Sequence, residues 1–153
     1  FNSHVEFFSK MKKGTLYGLT PLVNETACGP DFYEEAKKSG HYIELDPAMS
    51  MEEAKEYANK MDVLYTDTWV DMEFFNNPAY QKQKEETLAK MMPYQLNGDF
   101  TKDSKAIVFH DMPMHVGFEI SQDVVDKNLD HILDEAENRR HAEKAVMYTL
   151  LNS

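Results

Sequence analysis

The sequence predicts an α/β fold: a mainly parallel sheet with helices on both faces, Rossmann-like, and lacking its N-terminal strand. Three observations carry this. Short apolar runs alternate with longer amphipathic runs from end to end. The apolar runs are too brief and too uniformly apolar to be half-exposed, which suits strands covered on both faces. The chain also opens on a helical pattern at its first residues, where a sheet of this kind normally opens on a strand. With 153 residues it can build one domain around a real core.

Each element has its own signal. "NSHVEFFSKMKK" reads as a helix beginning almost at residue 1, and "TLYGLT" as a short strand. "PDFYEEAKKSG" is a helix in which Phe32, Tyr33 and Ala36 share a face and Gly40 suits the position just past the end. "HYIEL" is a strand. "SMEEAKEYANKM" carries a capping box, Ser50 with Glu53. Its Ala54, Tyr57, Ala58 and Met61 fall on one face, expected to be buried. "DVLYT" is a strand. The stretch from Asp71 to Pro78 is expected to be irregular, a candidate mobile loop. A helix follows near Tyr80 to Met92. "AIVF" is a strand, "SQDVVDKNL" a short helix, "HIL" a short strand, and a last helix runs from about Glu135 to Leu151.

Composition excludes some functions. Sixteen basic residues against twenty-seven acidic give a formal charge of −11. Phosphate contacts need clustered Lys and Arg, so nucleic acid and anionic membranes are poor partners. No apolar run approaches the length of a membrane span. Cys28 stands alone, which rules out an internal disulfide and fits a reducing compartment, the cytoplasm.

In open α/β sheets ligands bind at the carboxyl ends of the strands. Two strand ends here carry polar groups: "YTDTWVDM", with Asp67, Asp71 and Met72, and "VFHDMPMH", with His110, Asp111 and Met112. A third cluster, "DEAENRRH", is expected to open the last helix, where Arg139, Arg140 and the helix N-terminus would favour anions. Plainer readings stand beside these. A strand-end Asp often only caps a turn. His110 could be a hydrogen-bonded core histidine. His110, Asp111 and His115 do not follow a usual zinc spacing, so no metal is expected. Arg139 and Arg140 could pair with Glu135 and Glu143 on a solvated face. Cys28 could be an inert buried thiol.

Four stretches together resemble the second, amine-substrate-binding domain of the ornithine carbamoyltransferase family. "DVLYTDTWVDM" is similar to its D-V-[IL]-Y-T-D-x-W-x-S-M-G, and "PYQLN" to its P-Y-Q-[VL]-N. "FHDMPMHVGFEIS" resembles H-C-L-P-x-H-x-G-x-E-[VI]-[ST], and "DEAENRRHAEKAVMYTLL" resembles D-[EQ]-A-E-N-R-x-H-A-x-K-A. The resemblance makes residues 1–153 one amine-substrate-binding domain and implies transfer of a carbamoyl group from carbamoyl phosphate to ornithine. It needs no cofactor. It implies a homotrimer in which carbamoyl phosphate is held mainly by a first domain and a neighbouring subunit. The S-T-R-T and H-P-x-Q blocks of that first domain do not occur here. A partial enzyme, inactive alone, is therefore expected, with the helix at about 135–151 packing on the absent domain.

Carried over by position, Asp67 should face the substrate's α-ammonium and Met72 should present backbone groups in a closing loop. The carbonyls of Asp111 and Met112 should accept from the carbamoyl NH₂, His110 should position their loop, and Arg139 should donate to the carbamoyl oxygen. Three residues depart from the pattern. Asp111 replaces the family's Cys, Asp71 its Ser and Glu73 its Gly. The added carboxylates favour a cationic amine such as putrescine as an alternative acceptor, or a non-catalytic trimeric homologue. Asp111 is expected to touch the reacting amine as a catalytic group, with its pKa raised by crowding with Asp67 and Asp71.

Overall fold

The structure, a computed structural model, describes residues 14–20 and 30–152. The helix expected from residue 2 and Cys28 lie outside the described residues. The chain divides into two compact units, Phe1–Ser50 and Met51–Ser153.

In the first unit, β1 (Leu16–Gly18) pairs in parallel with β2 (Tyr42–Glu44), and α1 (Pro30–Ser39) joins them. Ala36 and Tyr42 form the buried centre, with Leu16 and Tyr33 packed against it. The Tyr33 and Tyr42 rings lie 5.6 Å apart, and a Cβ on Gly18 would sit 2.5 Å from the Tyr42 hydroxyl oxygen. Gly18 is therefore glycine because the tyrosine ring needs its space. Gly40, at φ +74°, ends α1 as the sequence predicts.

In the second unit, α2 (Met51–Ala58) buries Ala54 and Ala58, while Tyr57 faces out at 37% exposure, contrary to its place on the expected apolar face. Its phenol ring tolerates water where an alanine side chain would gain nothing from it. β3 (Val63–Thr66) and β4 (Ile107–His110) pair in parallel, with Val63 opposite Ile107 and Thr66 opposite His110. Between them lie α3 (Met72–Phe75), a 3₁₀ turn at Pro78–Tyr80, α4 (Gln81–Met91) and a second 3₁₀ turn at Met92–Tyr94. The segment expected to be irregular after Asp71 thus contains a helical turn. Its first N–H bonds are accepted by the Asp71 carbonyl, from Phe74 (2.9 Å) and Phe75 (3.1 Å).

Among the described residues every ladder is parallel, and the strands form two pairs, one in each unit. Not every strand residue is covered: Ile43 of β2 is 40% exposed and Val63 of β3 42%. β4 alternates instead, with Val108 and His110 buried between half-buried neighbours.

The largest departure is at the end of the chain. Neither a short helix nor an "HIL" strand forms there. α5 is one helix of 30 residues, Gln122–Leu151, about 45 Å long. No Gly or Pro interrupts it. Val124, Val125 and Ile132 are buried, and their spacing of seven and eight residues is helical. Each such side chain contributes roughly 1.5–3 kcal/mol on burial. Asn128 ties the helix to the sheet: its Oδ1 accepts the Val108 N–H at 3.0 Å and its Nδ2 donates to the Val124 carbonyl at 2.9 Å. This pairing places the first turns of α5 beneath β4 and aims the turns that follow at the strand's carboxyl end.

Candidate active site

The site is built where β3 and β4 end. Their register puts Asp67 and Asp111 at matching positions, each the first residue past its strand. Thr68 then donates from its hydroxyl to the Pro113 carbonyl at 3.0 Å, joining the two loops. The Met112–Pro113 peptide is cis.

The loop from His110 to His115 rests on a buried pair. His110 is fully buried and Glu119 is 1% exposed. The His110 Nδ1 accepts the Met112 N–H at 3.0 Å, so it carries no proton in this arrangement. The proton sits on Nε2, which donates to Glu119 Oε1 at 3.2 Å. The same Oε1 accepts the His115 N–H. Behind the loop, "PYQLN" packs against "GFEIS". The Leu96 N–H donates to the Glu119 carbonyl (3.0 Å), the Ser121 N–H to the Leu96 carbonyl (3.0 Å), and Gln95 Nε2 to the Gly117 carbonyl (3.0 Å).

Further along α5, Glu135 and Arg139 lie three and seven residues past buried Ile132, on the same helical face. Arg139 Nη2 donates to the Asp111 carbonyl at 2.9 Å and pairs with the Asp111 carboxylate. Burial, and after it the Asp67 carboxylate, push the Glu135 carboxyl above its ordinary value, against the opposing His110 backbone N–H. Burial also raises Tyr65, helped by Asp67 and Glu135 and opposed by Arg139. Tyr65, Asp67, Glu135 and Arg139 therefore share one electrostatic neighbourhood at the end of the sheet.

Two expectations need correction. The "DEAENRRH" cluster does not open a helix. Arg139 lies deep inside α5, so no helix N-terminus assists it; its reach to the β4 loop replaces that argument. Arg140 points elsewhere and pairs with Glu137. Asp111 was expected to be crowded by Asp67 and Asp71, yet the side chain paired with its carboxylate is the Arg139 guanidinium. A carboxylate committed to an arginine is not a free base.

Asp71 and Met72 begin α3, exposed, so they are placed on the segment between β3 and α4. That segment is pinned beyond Met72. The Phe75 ring stacks on His115 at 3.7 Å and meets Phe118 edge-on at 5.3 Å, while Lys84 donates to the Phe75 carbonyl at 2.8 Å. Glu119, Thr68 and Phe75 were given no role from the sequence, and Glu135 only a surface pairing with an arginine. Only Glu119 had a signal there, as the fixed glutamate of the H-x-G-x-E block. Among the described residues no group of three or more His, Cys, Asp or Glu side chains could hold a metal, and no helix is long and apolar enough to cross a membrane.

Parallel strands whose carboxyl ends gather carboxylates, an arginine and a histidine-braced loop define a Rossmann-like ligand-binding domain. The chain belongs to the family described as aspartate/ornithine carbamoyltransferase, Asp/Orn binding domain, which it matches over residues 1–150. It is 40% identical over 99 residues to the ornithine carbamoyltransferase of Chlorobaculum tepidum, covering 63% of this chain and 28% of that protein. It is 34% identical over 145 residues to that of Mycolicibacterium smegmatis, covering 89% and 45%. Among solved structures it resembles the anabolic ornithine carbamoyltransferase of Campylobacter jejuni, with a TM-score of 0.69 at 25% identity, covering 90% of this chain and 43% of that one. The chain thus spans less than half the length of these relatives.

Proposed function

We propose that the protein carrying this chain transfers a carbamoyl group from carbamoyl phosphate to the side-chain amine of ornithine, giving citrulline and phosphate. The chain supplies the amine side of the site. The observation that carries this reading is Arg139, held at 2.9 Å from the Asp111 carbonyl at the mouth of the β4 loop. Attack of an amine on the carbamoyl carbon builds negative charge on its oxygen, and a positioned guanidinium stabilises that charge. The carbonyls of Asp111 and Met112 accept from the carbamoyl NH₂ and fix the plane of attack. Asp67 receives the substrate's α-ammonium, and the segment carrying Asp71 and Met72 covers the bound substrate and excludes water.

Carbamoyl phosphate is held mainly by a first domain and a neighbouring subunit of a cytoplasmic homotrimer. The exposed side chains of Val146 (58%) and Leu150 (70%) on α5, with Ala142 and Ala145, pack on that first domain. The 153-residue chain alone is inactive.

A second reading rests on the Asp111–Arg139 pair. Here the arginine needed by the carbamoyl oxygen is held by a carboxylate where the family has Cys. An incoming ammonium must take the arginine's place on Asp111, which favours a diamine such as putrescine over an amino acid. If the resting pair never yields, the protein is a non-catalytic homologue. An assay of the whole protein with carbamoyl phosphate and a panel of amines decides among these. Citrulline from ornithine supports the first reading, a carbamoylated diamine supports the second, and no product with any amine sinks both.

A further inference from the structure

Glu119 is buried to 1%, yet among the described residues its Oε2 has no hydrogen-bond partner, while its Oε1 accepts twice. A carboxylate in that position is costly, because burial strips its water and only one oxygen is compensated. What the single oxygen holds is informative. It takes the His110 Nε2–H at one end of the loop and the His115 N–H at the other. Fixing the proton on Nε2 leaves Nδ1 bare, and Nδ1 then holds the Met112 N–H inside the loop. The turn so formed sends the Asp111 carbonyl toward Arg139. The Phe75 ring, stacked on His115, bears on the same end of the loop.

We propose that Glu119 is the positioning residue of the site: one of its oxygens ties both ends of the 110–115 loop and locks the His110 tautomer that orients Asp111 and Met112. It touches no substrate and acts through His110. In its kinetic consequence this rests on the carbamoyl-transfer reading; the tautomer lock itself does not.

The test has a spectroscopic arm and a kinetic arm. Nitrogen-15 spectra of the whole protein should show His110 at neutral pH as a single tautomer, protonated on Nε2 and bare on Nδ1. A protonated Nδ1, or averaging between tautomers, overturns the proposal whatever the kinetics. Glu119→Gln keeps one carbonyl oxygen for both donors and puts its NH₂ where Oε2 has no partner, so it should retain the tautomer and most of kcat. Glu119→Leu removes the acceptor at similar volume. It should release the tautomer and lower kcat in the whole protein by tenfold or more, up to ~10²-fold, the scale of misplacing a reacting group by about 1 Å. KM for the amine should move far less. If Leu leaves the spectrum and kcat unchanged, or Gln loses kcat as fully as Leu with its spectrum intact, the positioning role fails. Where Glu119→Leu does not fold, the wild-type and Gln spectra still decide. A wild type with the predicted tautomer and no transfer with any amine retains the lock and sinks the carbamoyl-transfer reading.

Discussion

The loop after β4 has two faces held by opposite means. Inward, His110 and Glu119 are paired at 0% and 1% side-chain exposure; outward, Arg139 and Asp111 are paired at 51% and 40%. Nothing can displace the inner pair without unfolding the loop, because its donors and acceptors have no water to turn to. The outer pair is wet and screened, and its partners can exchange for a ligand at little cost. The inner face therefore sets the shape of the site, and the outer face is the part that responds to substrate.

The largest effect should come from the outer face. Arg139→Lys keeps the charge but loses the planar fork. It should lower kcat in the whole protein by ~10²-fold or more, the scale of losing one oxyanion donor. Arg140→Lys, at a side chain that pairs with Glu137 instead, should change kcat little. Equal, small effects at both positions would erase the distinction between the two arginines.

Next in size is a change beneath the inner face. Val108 is 1% exposed and its N–H is accepted by Asn128. Asn128→Leu orphans that N–H and should cost about 1–3 kcal/mol in denaturant unfolding. An unchanged midpoint would mean that α5 does not brace β4 through this bond.

A smaller effect is expected at Asp111. Asp111→Cys restores the family residue and frees Arg139, and it should raise ornithine turnover and weaken diamine affinity by roughly fivefold, the worth of one exposed ion pair. Asp111→Asn, assayed beside it, should weaken diamine affinity without the gain for ornithine. If neither variant alters amine preference or rate, Asp111 does not meet the substrate.

The smallest effect tests the border between the faces. Burial raises the Glu135 carboxyl above its ordinary 4.5. The folded state therefore binds that proton more tightly than the unfolded chain. The contribution to stability is full below the ordinary value and is lost as pH rises through the folded one. Glu135→Gln removes the loss, so the variant should melt higher than wild type near neutral pH, by no more than about 1 kcal/mol after screening. The gap should close on acidification; one that widened would reverse the sign.

Much of this division was legible in the sequence, though unevenly. Apolar runs marked β3 and β4, and their polar ends marked Asp67, His110 and Asp111, because strand termini and turns follow local rules. Gly40 gave the end of α1 for the same reason. The join of "SQDVVDKNL" to the last helix was misread because "HIL", with Ile132 and Leu133 side by side, reads as a short strand. Ile132 is apolar for a tertiary reason: it is the buried contact of a continuous helix under β4. That continuity then moved Arg139 from a supposed helix start to a helix interior. The Asp111–Arg139 pair spans 28 residues, and no local pattern predicts such a pairing. Glu119 was visible as a letter in a motif, but its work depends on the tautomer of a buried histidine, which only the fold specifies.

The most direct test is a structure of the whole protein with ornithine and an unreactive analogue of carbamoyl phosphate bound. The account predicts that the Arg139 guanidinium leaves the Asp111 carboxylate for the carbamoyl oxygen, while the bonds among His110, Glu119, Met112 and His115 stay as they are. Arg139 still paired with Asp111 beside bound ligand, or a rearranged inner network, would contradict it.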